Sequence, residues 1–279
     1  FTFTINPFDI ERKITKYTKA IIPVHLLGLP AYMPSIMRIA KKHNLKVIED
    51  SCETVGSSID GKMVGSWGDI SCFSTYASHL IVTGVGGFAC TNNSDLAVRI
   101  KGLYNHGRDG VYHSIDDNKK GIQMIGSRFN FTHSGYSYRL TEMESALGLG
   151  HLKRLKQELK RRMEIAEQFS DAFEGSRLIS PVVPSGYTHS FMLYPISCIA
   201  KKERDELMLY LEKHGVKTRY MMPLLNQPIV RKLFGNLDKE YPIATSINNT
   251  SMLIGCHPQM TDDDVEYVIQ TVKEFYGTI

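Results

Sequence analysis

Hydrophobic and polar positions change their period repeatedly along the chain, and the changes mark out alternating helices and strands. Residues 7–17 put Ile10, Ile14 and Tyr17 on one face and predict a short helix. Residues 20–25 are rich in β-branched side chains, the pattern of a buried strand. Met33, Ile36, Met37 and Ala40 then form a helical stripe ending near His43, with Pro34 in the first turn, where its missing N–H costs nothing. Residues 45–50 read as an apolar strand that ends in two acids, Glu49 and Asp50. Short apolar runs at 69–74 and 87–91 predict two further strands, and 94–104 a helix with Ser94 as its N-cap. Residues 111–134 are polar, contain glycine and show no period, so a long loop is expected there.

From Thr141 to about residue 173, Leu152, Leu155, Leu159, Met163, Ala166, Phe169 and Phe173 recur at spacings of three and four, which predicts one long helix. Pro181, Pro184 and Gly186 mark a linker. Beyond it, strands at 190–197 and 216–220 bracket a helix at 202–214 that Gly215 stops. A short helix at 226–234 and a last helix capped by Thr261 complete the pattern. Strands alternating with helices predict an α/β chain, divided into a larger part over 1–150 and a smaller α/β domain with its linking helix over 151–279.

Candidate chemistry gathers around the strand ends. Carboxylates at the carboxyl end of a parallel strand stand where open α/β sheets place their sites. Asp50 and, three residues on, Glu53 are therefore candidates, while Glu49 reads as structural. The stretch 72–91 offers the hydroxyls of Ser74 and Ser78, the imidazole of His79, and Gly84, Gly86 and Gly87, which let the backbone pass where a side chain would block it. His25, at a strand end, reads either as a ligand-binding residue or as a histidine satisfied within the core. Asn105, His106 and Arg108, on a glycine-flanked loop, either meet substrate or serve the turn.

The bulk numbers change this picture little. With 279 residues, 42% hydrophobic and 22% charged, the chain has ordinary globular composition, and a net charge of +4 gives no reason to expect a nucleic-acid partner. Five cysteines with no CxxC spacing indicate neither a disulfide framework nor a zinc site, and buried thiols in a reducing cytoplasm are expected. No apolar run approaches the length of a membrane span, about 20 residues.

Five blocks in order, IIPVHLLGLP (21–30), VIEDSCETVGS (47–57), CFSTYASHLIVTGVGGFACT (72–91), YNHGRDG (104–110) and GYSYRLTEMESALGLGHL (135–152), resemble the DegT/DnrJ/EryC1/StrS family. The resemblance implies a fold-type I, pyridoxal-phosphate-dependent transferase-like fold: part of a large domain with a mixed, mostly parallel sheet, plus a smaller C-terminal domain. It also implies that on the order of a hundred preceding residues, carrying a phosphate-binding loop, are absent from the chain, which would then be a fragment or a truncated product. Asp50 is expected to bond the ring nitrogen of the cofactor, and Ser74, Glu53, His79 and Ser137 to contact it. Arg139, Arg108 and His25 are expected near substrate, with residues 137–139 reaching into the site of a partner subunit in a homodimer.

Where the family's aminotransferases carry the lysine that holds the cofactor covalently, this chain has His79, and where they carry Gln it has Glu53. Both departures resemble the sugar 3-dehydratase branch. Val85 and Leu80 are further departures, standing where relatives have Glu and dehydratases often a second His. An imidazole cannot replace a lysine amine as covalent anchor, but it can move a proton near neutral pH. The resemblance thus implies non-covalently bound pyridoxal or pyridoxamine phosphate, L-glutamate as amino donor, and C3 deoxygenation of a nucleotide-linked 4-keto-6-deoxy sugar, GDP-linked by preference, in dideoxysugar and O-antigen synthesis. His79 and Glu53 would be the catalytic pair. No cysteine lies between Cys90 and Cys198, so the iron–sulfur type of 3-dehydratase is not expected. The alternative is a non-catalytic or truncated sugar-nucleotide-binding relative, and the expected location in either case is the cytoplasm.

Overall fold

The structure is a computed structural model that describes residues 2–108, 130–221 and 223–277. Most of the expected long loop, residues 109–129, lies outside the described residues.

The first helix, α1 (Pro7–Lys13), is capped by the Asn6 side chain and ends early, because Ile14 is already extended. Tyr17 therefore stands 77% exposed instead of on an inner face. The strand expected at 20–25 pairs as a regular ladder only over β1 (Ala20–Ile21). Its parallel pairing continues past Pro23 through single bonds, Asp50 N–H to the Pro23 carbonyl and His25 N–H to the Asp50 carbonyl, both 2.9 Å. Helix α2 (Met33–Lys42) buries Met33, Ile36, Ile39 and Ala40 against the sheet, with Lys41 and Lys42 complementing its C-terminal dipole.

Strand β2 (Lys46–Asp50) lies parallel to β1 on one side. A two-residue hairpin, β3 (Ser58–Ile59) with β4 (Lys62–Met63), follows, and the sequence pattern gives no sign of it because each strand is too short for a period. Strand β5 (Ile70–Ser74) is parallel to β2 and β6 (Gly87–Cys90) antiparallel to β5, so the sheet order is β1-β2-β5-β6. Helix α3 (Ser94–Tyr104) is capped by Asn93, not Ser94: the Asn93 side-chain Oδ1 accepts the Asp95 and Leu96 N–H groups at 2.9 and 3.0 Å.

Helix α4 (Glu142–Phe173) joins the two halves and is about 48 Å long at 1.5 Å per residue. Thr141 caps it in a capping box with Glu144, as its position before the apolar run predicts. Its middle packs Leu155 and Leu159 against Val55, Leu80 and Ile81 of the first half. Its last three turns pack Ile165, Ala166, Phe169 and Phe173 into a second core. The change of core thus falls between Leu159 and Ile165, further along the helix than position 150.

The second core covers an antiparallel sheet of β7 (Leu193–Ser197), β8 (Thr218–Tyr220) and β9 (Ser251–Gly255), in the order β7-β9-β8. Helices α5 (Lys201–Lys213) and α8 (Asp262–Tyr276) pack on it through Leu207, Leu211, Val265, Ile269 and Val272. Between β8 and β9 lie a short 3-10 turn, α6 (Pro228–Phe234) and α7 (Pro242–Thr250). Neither α7 nor β9 is evident in the sequence pattern, although β9 is the central strand, with Ser251 to Ile254 all buried. A continuous buried run of four residues carries no alternation to read. Among the described residues, no helix is long and apolar enough to cross a membrane.

Candidate active site

Successive side chains of a strand point to opposite faces, so the two acids ending β2 have different surroundings. Glu49 is fully buried. Its Oε1 accepts the N–H groups of Trp67 and Gly68, both at 2.7 Å, and its Oε2 accepts the Gly65 N–H at 2.8 Å and meets His25 Nε2 at 3.1 Å. Burial alone would raise this carboxyl, but the bonds from His25, Gly68 and Gly65 outweigh it and hold the group below the usual carboxylate range. His25 is also fully buried, and its Nδ1 accepts the Ala31 N–H at 3.0 Å. The ring proton therefore sits on Nε2 and is donated to Glu49. With both nitrogens committed to protein groups, His25 has no atom to offer a substrate. Of the two readings open from sequence, the core one matches its placement.

Asp50 is half-buried, and its Oδ1 accepts the Cys52 N–H at 3.2 Å. Its negative charge reaches the neighbouring thiols. Burial first, then the Asp50 carboxylate, pushes Cys52 up to about 12 and raises Cys72 as well. The expectation of buried thiols holds for Cys198 and Cys256, whereas Cys52 and Cys72 are half-buried and Cys90 is exposed.

Glu53 follows on the turn after β2. Its Oε2 accepts the N–H of Leu27 at 2.7 Å, and Leu27 sits in the left-handed region with φ 59°. Gly28, next in the chain, has φ 110° and so little room that a Cβ would lie 2.6 Å from the Phe191 nitrogen. Its carbonyl accepts the Ser190 N–H at 3.0 Å and the Ser57 hydroxyl at 2.8 Å. One carboxylate oxygen of Glu53 thus holds the joint where the first half meets the segment entering the second.

Ser74 ends β5 beside the end of β2, and its Oγ accepts the Tyr76 N–H at 3.2 Å. The loop that follows is braced across its width by Thr75 N–H to the Gly86 carbonyl at 3.0 Å, Ala77 N–H to the Gly84 carbonyl at 3.1 Å and Thr83 N–H to the Thr75 carbonyl at 2.8 Å. The Thr75 and Thr83 hydroxyls bond each other at 2.6 Å. Leu80 and Ile81 anchor the loop in the core, which accounts for an apolar residue at position 80, while Val85 is exposed. His79 is half-buried within the loop, its backbone N–H donated to the Tyr76 carbonyl at 2.9 Å and its Nδ1 buried without a hydrogen-bond partner among the described residues. It lines a cleft of about 910 Å³ between this loop, α4 and residues 255–259. Asp50, Glu53 and Ser74 are not part of that lining; they gather at the strand ends from which the loop departs.

The remaining candidates form a second cluster. Tyr136 N–H bonds the Leu103 carbonyl at 2.7 Å, His106 N–H the Tyr136 carbonyl at 2.8 Å and Tyr138 N–H the Tyr104 carbonyl at 3.0 Å. Asn105 pairs with Ser137 and Arg108 with Phe131, so His106, Arg108, Ser137 and Arg139 stand on one knot at the end of α3. Gly107 and Gly135 make the knot possible: a Cβ on Gly107 would fall 1.7 Å from the His133 carbonyl oxygen, and one on Gly135 2.1 Å from the Gly107 nitrogen. Ser137 and Arg139 are exposed, 3.4 Å apart.

A strand-end carboxylate, a braced glycine-rich loop bearing His79 and an exposed Ser/Arg knot occur together in the order of one family, whose model matches residues 1–273. The chain belongs to the DegT/DnrJ/EryC1/StrS aminotransferase family. DegT/DnrJ/EryC1/StrS relatives include the spore coat polysaccharide biosynthesis protein SpsC of Bacillus subtilis, 33% identical over 98% of this chain and 70% of that protein. GDP-perosamine synthase of Escherichia coli O157:H7 is 31% identical over 99% of this chain and 71% of its own length. Among solved structures, the pyridoxamine-phosphate form of the putative sugar aminotransferase Spr1654 of Streptococcus pneumoniae superposes with a TM-score of 0.88, at 24% identity, over 100% of this chain and 74% of that one. The fold is that of the family's sugar aminotransferases, with the mixed, mostly parallel sheet of fold-type I.

The residues present fit the cofactor that this fold implies. Asp50 has a half-buried carboxylate at the strand end for a pyridinium N–H, Ser74 a hydroxyl hydrogen, and His79 an imidazole whose Nδ1 lacks a partner among the described residues. Sequence reasoning missed the His25–Glu49 pair, because its members lie 24 residues apart, and it missed His151, which lines the same cleft and whose Nδ1 is likewise buried without a partner among the described residues.

Proposed function

We propose that this protein is a 3-dehydratase that removes the C3 hydroxyl of a nucleotide-linked 4-keto-6-deoxy sugar, with L-glutamate as amino donor and pyridoxal phosphate held non-covalently. The observation that carries the reading is the residue on the braced loop. Residues 75–86 contain no lysine, and the position that would hold the cofactor covalently is His79. Other lysines are placed elsewhere: Lys62 stands 4.1 Å over the Trp67 ring, Lys101 lies in α3, and Lys160 pairs with Glu164 at 3.4 Å.

Pyridoxal phosphate, once bound in its amine form, would supply an electron sink next to the sugar's C4. Asp50 would hold a proton on the ring nitrogen, which would deepen that sink. His79 would be the group that takes a proton beside the cofactor's amine nitrogen and gives one to the departing C3 hydroxyl. Glu53, anchored at Oε2 by the Leu27 N–H, uses Oε1 to hold the water that releases the nitrogen. In the balance, the sugar loses one oxygen atom, which appears in 2-oxoglutarate, and the nitrogen of glutamate leaves as ammonia. Without a lysine amine, no group on the loop could release an aminated sugar by taking its place on the cofactor. The exposed knot suits a homodimer in which Ser137, Arg139 and Arg108 of one copy reach the cofactor phosphate and sugar nucleotide of the other. GDP-perosamine synthase among the relatives favours a GDP-linked substrate.

The anchor argument is tested by borohydride reduction of the pyridoxal-phosphate complex followed by intact-mass measurement. The protein should gain no cofactor mass, while His79→Lys should gain one cofactor per chain. Covalent cofactor on the unsubstituted protein would overturn the reading in favour of an aminotransferase with another lysine.

A further inference from the structure

Two histidine nitrogens are buried without a hydrogen-bond partner among the described residues, Nδ1 of His79 and Nδ1 of His151, and both residues line the same cleft. Helix α4 presses His151 toward the loop that carries His79. One turn before it, Gly148 approaches so closely that a Cβ would lie 3.0 Å from Thr83 Cγ2. One turn after it, Leu155 packs with Leu80 and Ile81. Residues at i, i+3 and i+7 share a helix face, so His151 stands on the face that meets the loop.

The other basic groups of the cleft are committed. Arg154 pairs with Glu158 at 3.2 Å, and Arg161 bonds the Met260 carbonyl and Asp262, both at 2.8 Å. Arg162 donates to the carbonyls of Phe191, Met192 and Cys256, and His257 Nδ1 accepts the Gln259 N–H at 3.2 Å. A buried imidazole nitrogen left without a partner is costly, and two of them on residues that line one cleft point to a shared purpose. An imidazole that acts as a base must keep one nitrogen bare, and the bond made by the other nitrogen decides which one that is. Hydrogen bonds of this kind are often long before a site is filled and tighten afterwards.

We propose that His151 is a positioning residue for His79: in the loaded site its Nδ1 accepts the Nδ1–H of His79, directly or through one water, so that Nε2 of His79 stays bare and works as the base. The proton on His79 Nδ1 does not leave, and no covalent bond is made or broken between the two rings. The inference rests on the reading of His79 as a proton-transfer group.

The test is nitrogen NMR of 15N-histidine-labelled protein loaded with pyridoxal phosphate, which reads the His79 tautomer directly. His79 should be found as the Nδ1–H form. His151→Phe keeps ring volume but removes the acceptor, and should shift His79 toward the Nε2–H form. His151→Gln restores an acceptor oxygen and should restore the tautomer. In sugar turnover, H151F should lower kcat about 10–100-fold, the usual effect of losing an orienting partner, with KM for the sugar nucleotide unchanged and H151Q recovering much of the loss. An Nε2–H tautomer in the unsubstituted protein overturns the proposal even if H151F does not fold, and so does a tautomer that is the same in all three proteins. A tautomer that responds as expected in a protein that aminates its sugar upholds the histidine pair and refutes the dehydratase reading instead.

Discussion

Glu49→Gln would leave the buried N–H groups of Gly65, Trp67 and Gly68 facing an amide with one acceptor oxygen instead of two. Each buried donor left unsatisfied costs about 1–3 kcal/mol, so urea unfolding should show a loss of at least that size with an unchanged m-value. The sign of the pH effect follows from the lowered folded pKa. Stabilisation from this carboxylate is complete above its unfolded value near 4.5 and is lost as pH falls through the lower folded value. E49Q should therefore flatten the acid limb of the stability curve. Glu53 separates structure from chemistry in the opposite way. Glu53→Gln keeps an oxygen for the Leu27 N–H, so stability should stay within about 0.5 kcal/mol, while turnover should fall about 100-fold with the loss of the charge that orients water. E53Q that turns over normally would remove Glu53 from the chemistry. Asp50, Glu53 and His79 could be singled out in the sequence because a strand end and a glycine-rich loop advertise them. The roles of His25 and His151 could not, since a histidine's partners lie far away along the chain and its tautomer depends on them.

At the level of elements, amphipathic helices were readable wherever burial is one-sided, as in α2, α4 and α8, and capping residues located Thr141 and Thr261 correctly. Asn93 displaced Ser94 at α3 because either residue type can cap and only the backbone decides which one turns out of the helix. Strand β9 escaped notice because burial on both faces erases its alternation, and β3–β4 because two residues make no period. The 103–108 and 131–139 segments were separate motifs in the sequence; contact between Gly107 and Gly135 makes them one knot. Gly107→Ala collides with a backbone carbonyl in a left-handed position (φ 83°), so it should cost about 2–4 kcal/mol. Circular-dichroism melts check the stability, and turnover should fall with it because the platform for Ser137 and Arg139 is lost. An unperturbed melt would show that the knot is not packed as described.

Across the whole molecule, two cores share one helix, and a polar joint closes the gap between them. His189 lies in that joint, 5% exposed, stacked on Phe191 at 3.7 Å, its Nδ1 accepting the Phe191 N–H at 2.9 Å. Burial pushes its pKa down to about 3, so it is neutral in the fold but takes a proton near pH 6.5 once unfolded. Its contribution is present above pH 6.5 and declines as pH falls toward 3. One proton of this kind removes about 1.3 kcal/mol between pH 7.5 and 5.5, and His189→Asn, which keeps an acceptor but does not titrate, should remove that part of the slope in urea unfolding at the two pH values. The α/β alternation was legible from periodicity, whereas the joint was not, because it is built from contacts between residues 27–28, 53–57 and 188–192. The joint matters for function because Glu53 belongs to it and to the proposed site at once. Most direct for the account as a whole is the product balance with pyridoxal phosphate, L-glutamate and GDP-4-keto-6-deoxymannose. Ammonia and 2-oxoglutarate released in equal amounts, with a 3-deoxygenated sugar and neither product from His79→Ala, is the expected result; 2-oxoglutarate with an aminated sugar and no ammonia would contradict it.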